Sequence, residues 1–379
     1  MRLILIAIVI FLAGLPWLTQ RRSEDDRSQE FQIPKIASSL HEAPFYQEEI
    51  LDADQKYPMA HVASLCELPD GTLAATWYAG SGEVQPDLQI YFTTKKISKR
   101  AWSAPRVIMT RAQAASDLQR YIKALGNALI FSDAQGTLHL LYVTISMGKW
   151  SGSMLNLTSS HDCGVTWSRS ERLALSPFFN LSELVKNAPV PLVNGAWVIP
   201  MYQEFLGKFS ELLWLTPHNG RWSYSKSRIT GGCSFFQPSM IVLGARRAVV
   251  FFRDYLTTGK IAMASTEDVG RFWSNSVLTT LPNHDAGISS LSLPNGWLLL
   301  AFNDSTVARD NLRLALSKDE GRSWQRIATI AEEPGGDFSY PYLMQTHDGI
   351  IHLLYSWKRK HIRHVVFNAS WIAAQKITL

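Results

Sequence analysis

Short apolar runs separated by turn residues recur along the chain, and five of them begin with a glycine. These runs are GTLAATWYAG, GTLHLLYVTI, GAWVIPMYQE, GWLLLAFNDS and GIIHLLYSWK. Short runs rich in β-branched and aromatic residues, bounded by Gly, Pro, Asn or Asp, are typical of strands. The pattern therefore predicts an all-β chain in which helix is the minority state.

A set of turn glycines and a set of tryptophans recur along the chain in register with each other. Each glycine follows an apolar run: Gly71, Gly136, Gly195, Gly244, Gly296 and Gly349. A tryptophan follows each of the first five glycines after 31, 31, 27, 29 and 28 residues: Trp102, Trp167, Trp222, Trp273 and Trp324. A unit of about 50 residues with four strands can bury its faces only against neighbouring units. The repeat therefore predicts a six-bladed β-propeller.

The turn before three of these tryptophans follows the pattern S/T-x-D-x-G-x-x-W. The three copies are SHDCGVTW at 160–167, TEDVGRFW at 266–273 and SKDEGRSW at 317–324. Ser, Thr and Asp side chains bond the backbone of a tight turn, and glycine supplies a positive φ. This pattern resembles the Asp-box of sialidases. We interpret Asp162, Asp268 and Asp319 as structural residues rather than catalytic ones.

Composition and charge narrow the range of partners. The chain has 379 residues, 46% of them hydrophobic and 18% charged, which suits a large globular domain. The net charge of +5 is spread without any run of five like charges, so nucleic acid is not an expected partner, whereas an anionic glycan is. The three cysteines, Cys66, Cys163 and Cys233, lack metal-ligand spacing. No metal or other cofactor is indicated.

The N-terminus carries a separate apolar segment. Leu3 to Leu18 is an uninterrupted apolar run, with Arg2 before it and Arg21 and Arg22 after it. We interpret residues 1–22 as a signal-anchor or transmembrane segment, with a cleaved signal peptide as the alternative. Residues 23–56 then form a polar tether that leads into the propeller at 57–379. This arrangement predicts a membrane-anchored protein with its propeller outside the cytoplasm.

Counting from the six glycines locates two rings of polar residues at one mouth of the propeller channel. The first strand of each blade starts at the mouth, and the starts coincide with His61, Asn127, Lys186 with Asn187, Gln237, Asp285 and Tyr340. The second strand returns to the mouth, where it ends near Glu83, Lys149, Glu204, Arg253, Asn303 with Arg309, and Arg359. Polar residues at strand ends are common, but twelve positions at one mouth predict a ligand pocket.

Longer stretches of the chain are similar to exo-sialidases. The segments FQPSMIVLGARRAVVFFRD, SSLSLPNGWLLLAFNDSTVARDNLRLALSKDEGRSW and DFSYPYLMQTHDGIIHLLYSW resemble their fourth, fifth and sixth blades. The resemblance spans about residues 57–368 and is closest to bacterial neuraminidases with BNR-type repeats. It implies that Arg253 and Arg309 are two of the three arginines that bind the substrate carboxylate, and that Tyr340 is the nucleophile.

The resemblance also requires a carboxyl group that protonates the leaving oxygen. The loop AGSGEVQPDLQIY offers Glu83 and Asp87, of which Glu83 is better placed for the mouth. Asn127, Lys186 and Asn187 are expected to contact sugar hydroxyls, and Asp285 belongs to the same ligand-facing ring.

Two positions depart from the sialidase pattern. His61 stands where the family has its first arginine, and a neutral imidazole binds a carboxylate less strongly than a guanidinium does. Gln237 stands where a Glu activates the nucleophilic tyrosine, and an amide cannot take a proton. Glu204 on the adjacent blade is the obvious substitute for that base.

These residues predict an exo-acting glycosidase that removes a terminal carboxylated sugar from an envelope or external glycan. The sugar would be sialic acid or a related ulosonic acid such as Kdo, and the resemblance suggests a bacterial envelope, periplasmic or extracellular. One alternative is a propeller lyase or uronate-directed glycosidase with His61 and Tyr340 as base and acid. Another is a non-catalytic propeller that binds a glycan or a protein partner of an envelope complex.

Overall fold

The structure is a computed structural model that describes residues 29–37, 42–96, 99, 101–176, 180–218, 221–229, 234–255 and 258–375. The anchor predicted at residues 1–22 lies outside these ranges. Within them, no helix has the length and apolar character that crossing a membrane would need. The described strands form six antiparallel sheets, so the all-β, six-bladed propeller is confirmed.

The blades follow one another along the chain after a first strand, β1 (Tyr46–Ile50). The first blade contains β2 (Met59–Glu67), β3 (Leu73–Gly80), β4 (Gln89–Lys95) and β5 (Arg106–Met109). After helix α1 (Arg111–Leu118), the second contains β6 (Ala124–Ser132), β7 (Leu138–Ile145), β8 (Ser153–Ser160) and β9 (Glu171–Arg172). The third contains β10 (Leu184–Val185), β11 (Val190–Pro191), β12 (Trp197–Gln203), β13 (Phe209–His218) and β14 (Arg221–Arg228).

The remaining three blades complete the ring. The fourth contains β15 (Phe235–Val242), β16 (Ala248–Asp254), β17 (Lys260–Thr266) and β18 (Val277–Pro282). The fifth contains β19 (Ser289–Ser292), β20 (Leu298–Phe302), β21 (Asn311–Ser317) and β22 (Gln325–Glu332). The sixth contains β23 (Phe338–Gln345), β24 (Ile351–Trp357) and β25 (His361–Phe367), followed by helix α2 (Ala369–Ala374).

The two ends of the chain close the ring, which corrects the predicted start of the propeller. Strand β1 is the outermost strand of the sixth blade and pairs with β25, with Tyr46 opposite Phe367 and Ile50 opposite Arg363. This strand from the N-terminal side completes the last blade, which the C-terminal strands alone would leave with three. Phe31 is also buried and bridges to Leu192. Parts of the segment 23–56 therefore pack on the propeller instead of forming a free tether.

The blades pack face to face, and the tryptophans of the repeat lie between them. Strands β3 and β7 are buried along their whole length, because both faces of each contact other strands. The Trp167 ring lies 5.9 Å from Phe92 of the first blade, and Trp324 lies 5.4 Å from Phe251 of the fourth. These contacts fill the space between neighbouring sheets.

The Asp-box turns join the third and fourth strands at the end of the propeller opposite the mouth. In the fifth blade, the Ser317 hydroxyl donates to Asp319 (2.8 Å) and accepts from the Gly321 amide (2.8 Å). Asp319 also accepts from the Ser323 amide (2.8 Å), and Trp324 Nε1 donates to the Gly321 carbonyl (3.0 Å). Asp162 and Asp268 make the equivalent bonds. The structural interpretation of the three aspartates is thus consistent with their contacts.

At the mouth, bulges distort the innermost strands. The pairing of the first two strands shifts register in the first, second, fourth and sixth blades. Three residues at these shifts have positive φ although they are not glycine: Val62 at 50°, Gln237 at 52° and Tyr340 at 54°. A bulge redirects side chains, and strained backbone of this kind occurs at functional sites.

Candidate active site

Arg253, at the end of β16, lies at the centre of the mouth. Its guanidinium is buried and donates from Nε to Asp285 Oδ1 at 2.7 Å and from Nη1 to Gln237 Oε1 at 2.9 Å. Nη1 also lies 3.4 Å from the Tyr340 hydroxyl. Burial alone would lower the pKa of Arg253, but the interactions with Tyr340 and Asp285 outweigh it and raise the pKa. Arg253 is therefore a fixed positive charge.

Arg309, in the loop between β20 and β21, also lies near the Tyr340 ring. Its Nη2 donates to the Asp285 backbone carbonyl at 2.6 Å, and its guanidinium carbon is 5.9 Å from the Tyr340 ring centroid. Asp285 thus orients both arginines, one through its carboxylate and the other through its carbonyl. Two guanidinium groups around one tyrosine make a mouth suited to an anionic ligand.

His61 packs against Tyr340 and has one open nitrogen. The two rings meet edge to face, with centroids 4.6 Å apart. His61 is fully buried, and burial together with Arg359, Arg309 and Arg253 lowers its pKa well below 6.5, so the imidazole is neutral. Its Nδ1 is 2.9 Å from Ser356 Oγ, while Nε2 has no hydrogen-bond partner among the residues that the structure describes.

The hydrogen bonds of Ser356 determine which nitrogen of His61 carries the proton. Ser356 is fully buried and accepts from the Val62 amide at 3.2 Å. Its own hydroxyl proton needs an acceptor, and among the described contacts only His61 Nδ1 can accept it. The imidazole proton is therefore on Nε2, which lies 3.6 Å from Glu83 Oε1.

The two carboxyl candidates of the first blade have different surroundings. Glu83 bonds Arg359 Nη2 through Oε1 and lies 3.4 Å from Trp150 Nε1 through Oε2, so it is at the mouth. Asp87 is exposed and accepts from the amide and hydroxyl of Ser81 at 2.9 and 2.7 Å. Asp87 therefore stabilises its own loop, and Glu83 is the carboxyl group next to His61.

Gln237 belongs to a network that fixes the orientation of its amide. Oε1 accepts from Arg253, so Nε2 faces the Tyr202 hydroxyl at 3.3 Å. Asn127 Nδ2 donates to the Val185 carbonyl at 2.9 Å and to the same hydroxyl at 3.0 Å. Tyr202 thus accepts two hydrogen bonds, and its own proton has no acceptor among the described contacts. Nothing in the repeat pattern pointed to Tyr202.

Glu204 does not contact Tyr340 in the described part of the chain. Its Oε2 lies 3.4 Å from Lys208 Nζ, and the Lys208 ammonium lies over the Tyr255 ring at 3.9 Å. Glu204 acts on Tyr202 only through its charge: burial is the largest cause of the raised pKa of Tyr202, and Glu204 raises it further. The role of base expected for Glu204 is therefore not matched by a contact, and the described hydrogen bond of the Tyr340 hydroxyl is the one with Arg253.

Three residues that are expected to contact a sugar form hydrogen bonds to other blades instead. Lys186 is buried, and its ammonium donates to Asn187 Oδ1, the Ile288 carbonyl and the Pro341 carbonyl at 2.8, 2.6 and 2.7 Å. Asn187 donates to the Gln237 and Pro238 carbonyls at 3.2 and 2.8 Å. The innermost strand of the third blade is interrupted here between β10 and β11, which frees these side chains to cross the channel.

The expectation for Lys186, Asn187 and Asn127 is corrected accordingly. Their donors are used by neighbouring blades, so they form a floor beneath the mouth rather than a surface that a ligand could contact. Across the ranges that the structure describes, no group of three or more His, Cys, Asp or Glu residues is arranged to bind a metal.

Comparison with known proteins identifies the family. The BNR repeat-like domain matches residues 71–353, which is most of the chain. The chain belongs to the BNR repeat-like family. No curated protein matches this BNR chain in the sequence comparison.

Solved structures share the fold of this BNR chain at low sequence identity. "Hadza microbial sialidase Hz136" is 18% identical, has a TM-score of 0.72, and aligns over 87% of this chain and 69% of its own. The intramolecular trans-sialidase from Ruminococcus gnavus is 13% identical, with a TM-score of 0.67 over 86% of this chain and 100% of its own. NanB sialidase from Streptococcus pneumoniae is 13% identical, with a TM-score of 0.64 over 89% and 70%.

Proposed function

We propose that the chain is an exo-acting glycoside hydrolase of the sialidase type, which removes a terminal carboxylated sugar. The observation that carries the proposal is the position of Tyr340, with its hydroxyl 3.4 Å from Arg253 Nη1 and its ring 5.9 Å from the Arg309 guanidinium. A substrate carboxylate bound by these guanidinium groups would hold the adjacent anomeric carbon near the tyrosine oxygen. A neutral tyrosine avoids the repulsion that an anionic nucleophile would meet there.

The substrate class follows from this anion-binding geometry. Sialic acid and related ulosonic acids such as Kdo carry the carboxylate on the anomeric carbon, so either sugar fits the same arrangement. The sialidases and the trans-sialidase among the structural neighbours support this choice. The N-terminal anchor remains an expectation from the sequence, and with it we propose a glycan of the cell envelope as the natural substrate.

Four groups have roles in the proposed reaction. The Tyr340 oxygen bonds to the anomeric carbon as the glycosidic C–O bond breaks, and the tyrosine proton leaves to water at the partly exposed mouth. Arg253 stabilises the developing phenolate, and protonated Glu83 gives its proton to the leaving oxygen. Water then hydrolyses the glycosyl-enzyme intermediate with Glu83 as base, so the configuration is retained.

The test is hydrolysis of 4-methylumbelliferyl α-glycosides of N-acetylneuraminic acid and of Kdo. We expect release of the acid sugar by the wild-type protein, and a fall in kcat of at least about 10³-fold in Tyr340→Phe, because the nucleophile is lost. Tyr46→Phe, a change of the same type on the outer strand of the sixth blade, should leave kcat unchanged. Full activity of Tyr340→Phe would contradict the proposed role of Tyr340.

Two observations favour a second candidate, a propeller that binds anionic glycans without cleaving them. Gln237 cannot take a proton from Tyr340, and Glu83 is engaged by Arg359 in the free protein. Binding of both sugars without any release of acid sugar would support this candidate over hydrolysis. The lyase alternative is not proposed, because a proton on His61 Nε2 makes that nitrogen a donor rather than a base.

A further inference from the structure

Arg359 lies beside His61, where the family's first arginine is missing. It belongs to the tight turn between β24 and β25, and its backbone carbonyl accepts from the Ala60 amide at 2.9 Å. That bond joins the sixth blade to the residue immediately before His61. The Arg359 side chain is about one-third exposed, with a relative accessibility of 36%, so a ligand can reach it.

The backbone of this turn is strained. Lys358 and Arg359 have φ values of 53° and 55°, a pair of positive angles that hairpin turns usually assign to Asn and Gly. Side chains with a Cβ pay about 1–2 kcal/mol for each residue in this region. Strain that persists at a mouth is a reason to look for a function of the side chain that it positions.

Arg359 is bound by a carboxylate that a ligand could replace. It donates from Nη2 to Glu83 Oε1 and lies 3.9 Å from Asp337 Oδ2 through Nη1. Asp337 has a second partner, the Ser339 hydroxyl, whereas the other described contacts of Glu83, with Trp150 Nε1 and His61 Nε2, are long. Asp285, the third carboxylate, is held by Arg253 at 2.7 Å. Arg359 is therefore the only close partner of Glu83 among the described contacts, so a ligand carboxylate that takes Arg359 leaves Glu83 without one.

We propose that Arg359 exchanges partners when a carboxylated ligand binds. Its guanidinium moves from Glu83 to the ligand carboxylate, and Glu83 takes up one proton from solvent. This inference rests on the proposed function and deepens it. The exchange supplies the third guanidinium that His61 does not provide. It also converts Glu83 from an ion-paired carboxylate into the protonated acid that cleavage of a glycosidic bond needs.

Charge balance explains why a proton should follow the ligand. Arg359 is the one cation that contacts Glu83 among the described residues, because Arg253 is held by the Asp285 carboxylate and Arg309 by the Asp285 carbonyl, so its move to a ligand leaves Glu83 without a cationic partner. The other groups facing Glu83 are His61 and Tyr78 from the first blade and Trp150 from the second. None of these three carries a positive charge, because burial keeps His61 neutral. A released Glu83 is then more stable when protonated.

The open nitrogen of His61 supports the same exchange. Nε2–H is buried without a hydrogen-bond partner in the described part of the chain, and it lies 3.6 Å from Glu83 Oε1. A buried donor without a hydrogen bond costs free energy, and a shorter distance between His61 Nε2 and Glu83 would remove that cost. Once Arg359 has moved to the ligand, either the remaining Glu83 carbonyl oxygen or a ligand oxygen can accept from Nε2–H.

The test is calorimetric titration with the 2,3-dehydro glycals of N-acetylneuraminic acid and Kdo, in buffers of different ionisation enthalpy between pH 5 and 8. These glycals keep the carboxylate but cannot be hydrolysed by the proposed route. We expect the wild-type protein to take up as much as about one proton per bound ligand. Glu83→Gln should bind without proton uptake, and Arg359→Gln should bind about 10- to 100-fold more weakly with reduced uptake, because a charge-assisted hydrogen bond is lost.

The matched control is Lys358→Gln, which removes the neighbouring charge of the same strained turn. Lys358 pairs with Glu333 at the rim, so proton uptake and affinity should stay at wild-type values. Glycal binding without proton uptake, or with equal uptake in Glu83→Gln, would overturn the exchange and leave the proposed function standing. Absence of binding by both glycals would overturn the exchange and the proposed substrate class together.

Discussion

The two ends of the propeller use polar residues in opposite ways. In the Asp-box turns, Asp319 and Ser317 bond the backbone and each other, so the polar groups are used within the turn. At the mouth, the described contacts give buried His61 Nε2 no partner, and the Tyr202 hydroxyl accepts twice there while its own proton stays unmatched. At the Asp-box end the polar groups of the turn thus bond one another, whereas at the mouth some of the polar groups have no partner in the described contacts.

The difference separates stability from function. Buried polar groups in folded proteins are normally bonded, and an unbonded donor costs about 1–3 kcal/mol. A ligand that supplies acceptors can recover part of these costs, whereas the Asp-box turns gain nothing from a ligand. Changes at the mouth should therefore alter binding, and changes at the Asp-boxes should alter stability.

The largest expected effect is on ligand affinity, from Arg253→Met. The variant removes the guanidinium from the centre of the mouth and leaves Asp285 without its ion pair. Removing one partner of a buried, hydrogen-bonded charge pair at a binding site costs about 2–5 kcal/mol, so we expect affinity for the glycals to fall about 30- to 4,000-fold. Titration calorimetry measures the loss.

A conservative change at the same position sharpens the result. Arg253→Lys keeps the charge but loses the planar fork that contacts Asp285 and Gln237 together, so only part of the affinity should return. Thermal melting of both variants checks that the fold is intact. If Arg253→Met bound the glycals within threefold of wild type (roughly 0.7 kcal/mol), Arg253 would not be the main anion contact.

The next effect is on stability, from Gly164→Ala in the second blade's Asp-box. Gly164 has φ +84°, and a Cβ there would lie 2.4 Å from Phe92 Cζ of the first blade. Backbone strain and this clash together should destabilise the protein by about 3 kcal/mol. Urea denaturation measures the free energy of unfolding, while glycal affinity should stay unchanged in the folded protein.

Gly296→Ala is the matched control that separates the clash with Phe92 from the backbone strain. Gly296 also has a positive φ, +81°, but no atom of the described residues lies within 4 Å of the position that an alanine Cβ would occupy. The fall in the free energy of unfolding of Gly296→Ala should therefore reflect backbone strain alone, about 1 kcal/mol. Equal losses in the two variants would mean that the close approach of Phe92 adds no steric cost at residue 164.

The sequence was sufficient to predict the six blades because the repeated residues act within their own turns or between neighbouring blades. Gly71 and four of its five equivalents have positive φ, with Gly244 as the exception, and Trp167 and its equivalents pack between blades, so both registers keep the spacing of the blades. The same counting located Arg253, Arg309, Tyr340 and His61 at one mouth, where the structure brings them together.

The rest of the site depended on features that a count of positions does not contain. Lys186 and Asn187 lie near the mouth in the sequence register, but a break in the innermost strand turns them across the channel to other blades. The bulge at Tyr340 and the strained turn at Arg359 depend on three-dimensional packing between blades. Closure by β1 was missed because a single short strand carries no repeat signal of its own.

The two ends should also differ in how stability depends on pH. Burial and three nearby arginines lower the pKa of His61 from its ordinary 6.5, so its stabilising contribution is present above pH 6.5 and is lost as pH falls. In that range the unfolded chain binds one proton more, which corresponds to about 1.4 kcal/mol per pH unit. Urea denaturation should show that the free energy of unfolding depends less steeply on pH in His61→Gln below pH 6.5, by up to this amount, with no difference above pH 7. An unchanged slope below pH 6.5 would contradict a neutral His61.

The smallest expected effect comes from the Asp-box end, in a lower pH window. Hydrogen bonds from the Thr166 side chain and amide lower the pKa of Asp162 from 3.8 to about 2. The contribution of Asp162 to stability is therefore present above pH 3.8 and is lost as pH falls towards 2. Asp162→Asn should weaken the pH dependence of stability between pH 4 and 2 and leave the slope between pH 5 and 8 as in the wild type. A change in the upper window would mean that the two ends are electrostatically coupled, because Asp162 itself does not titrate there.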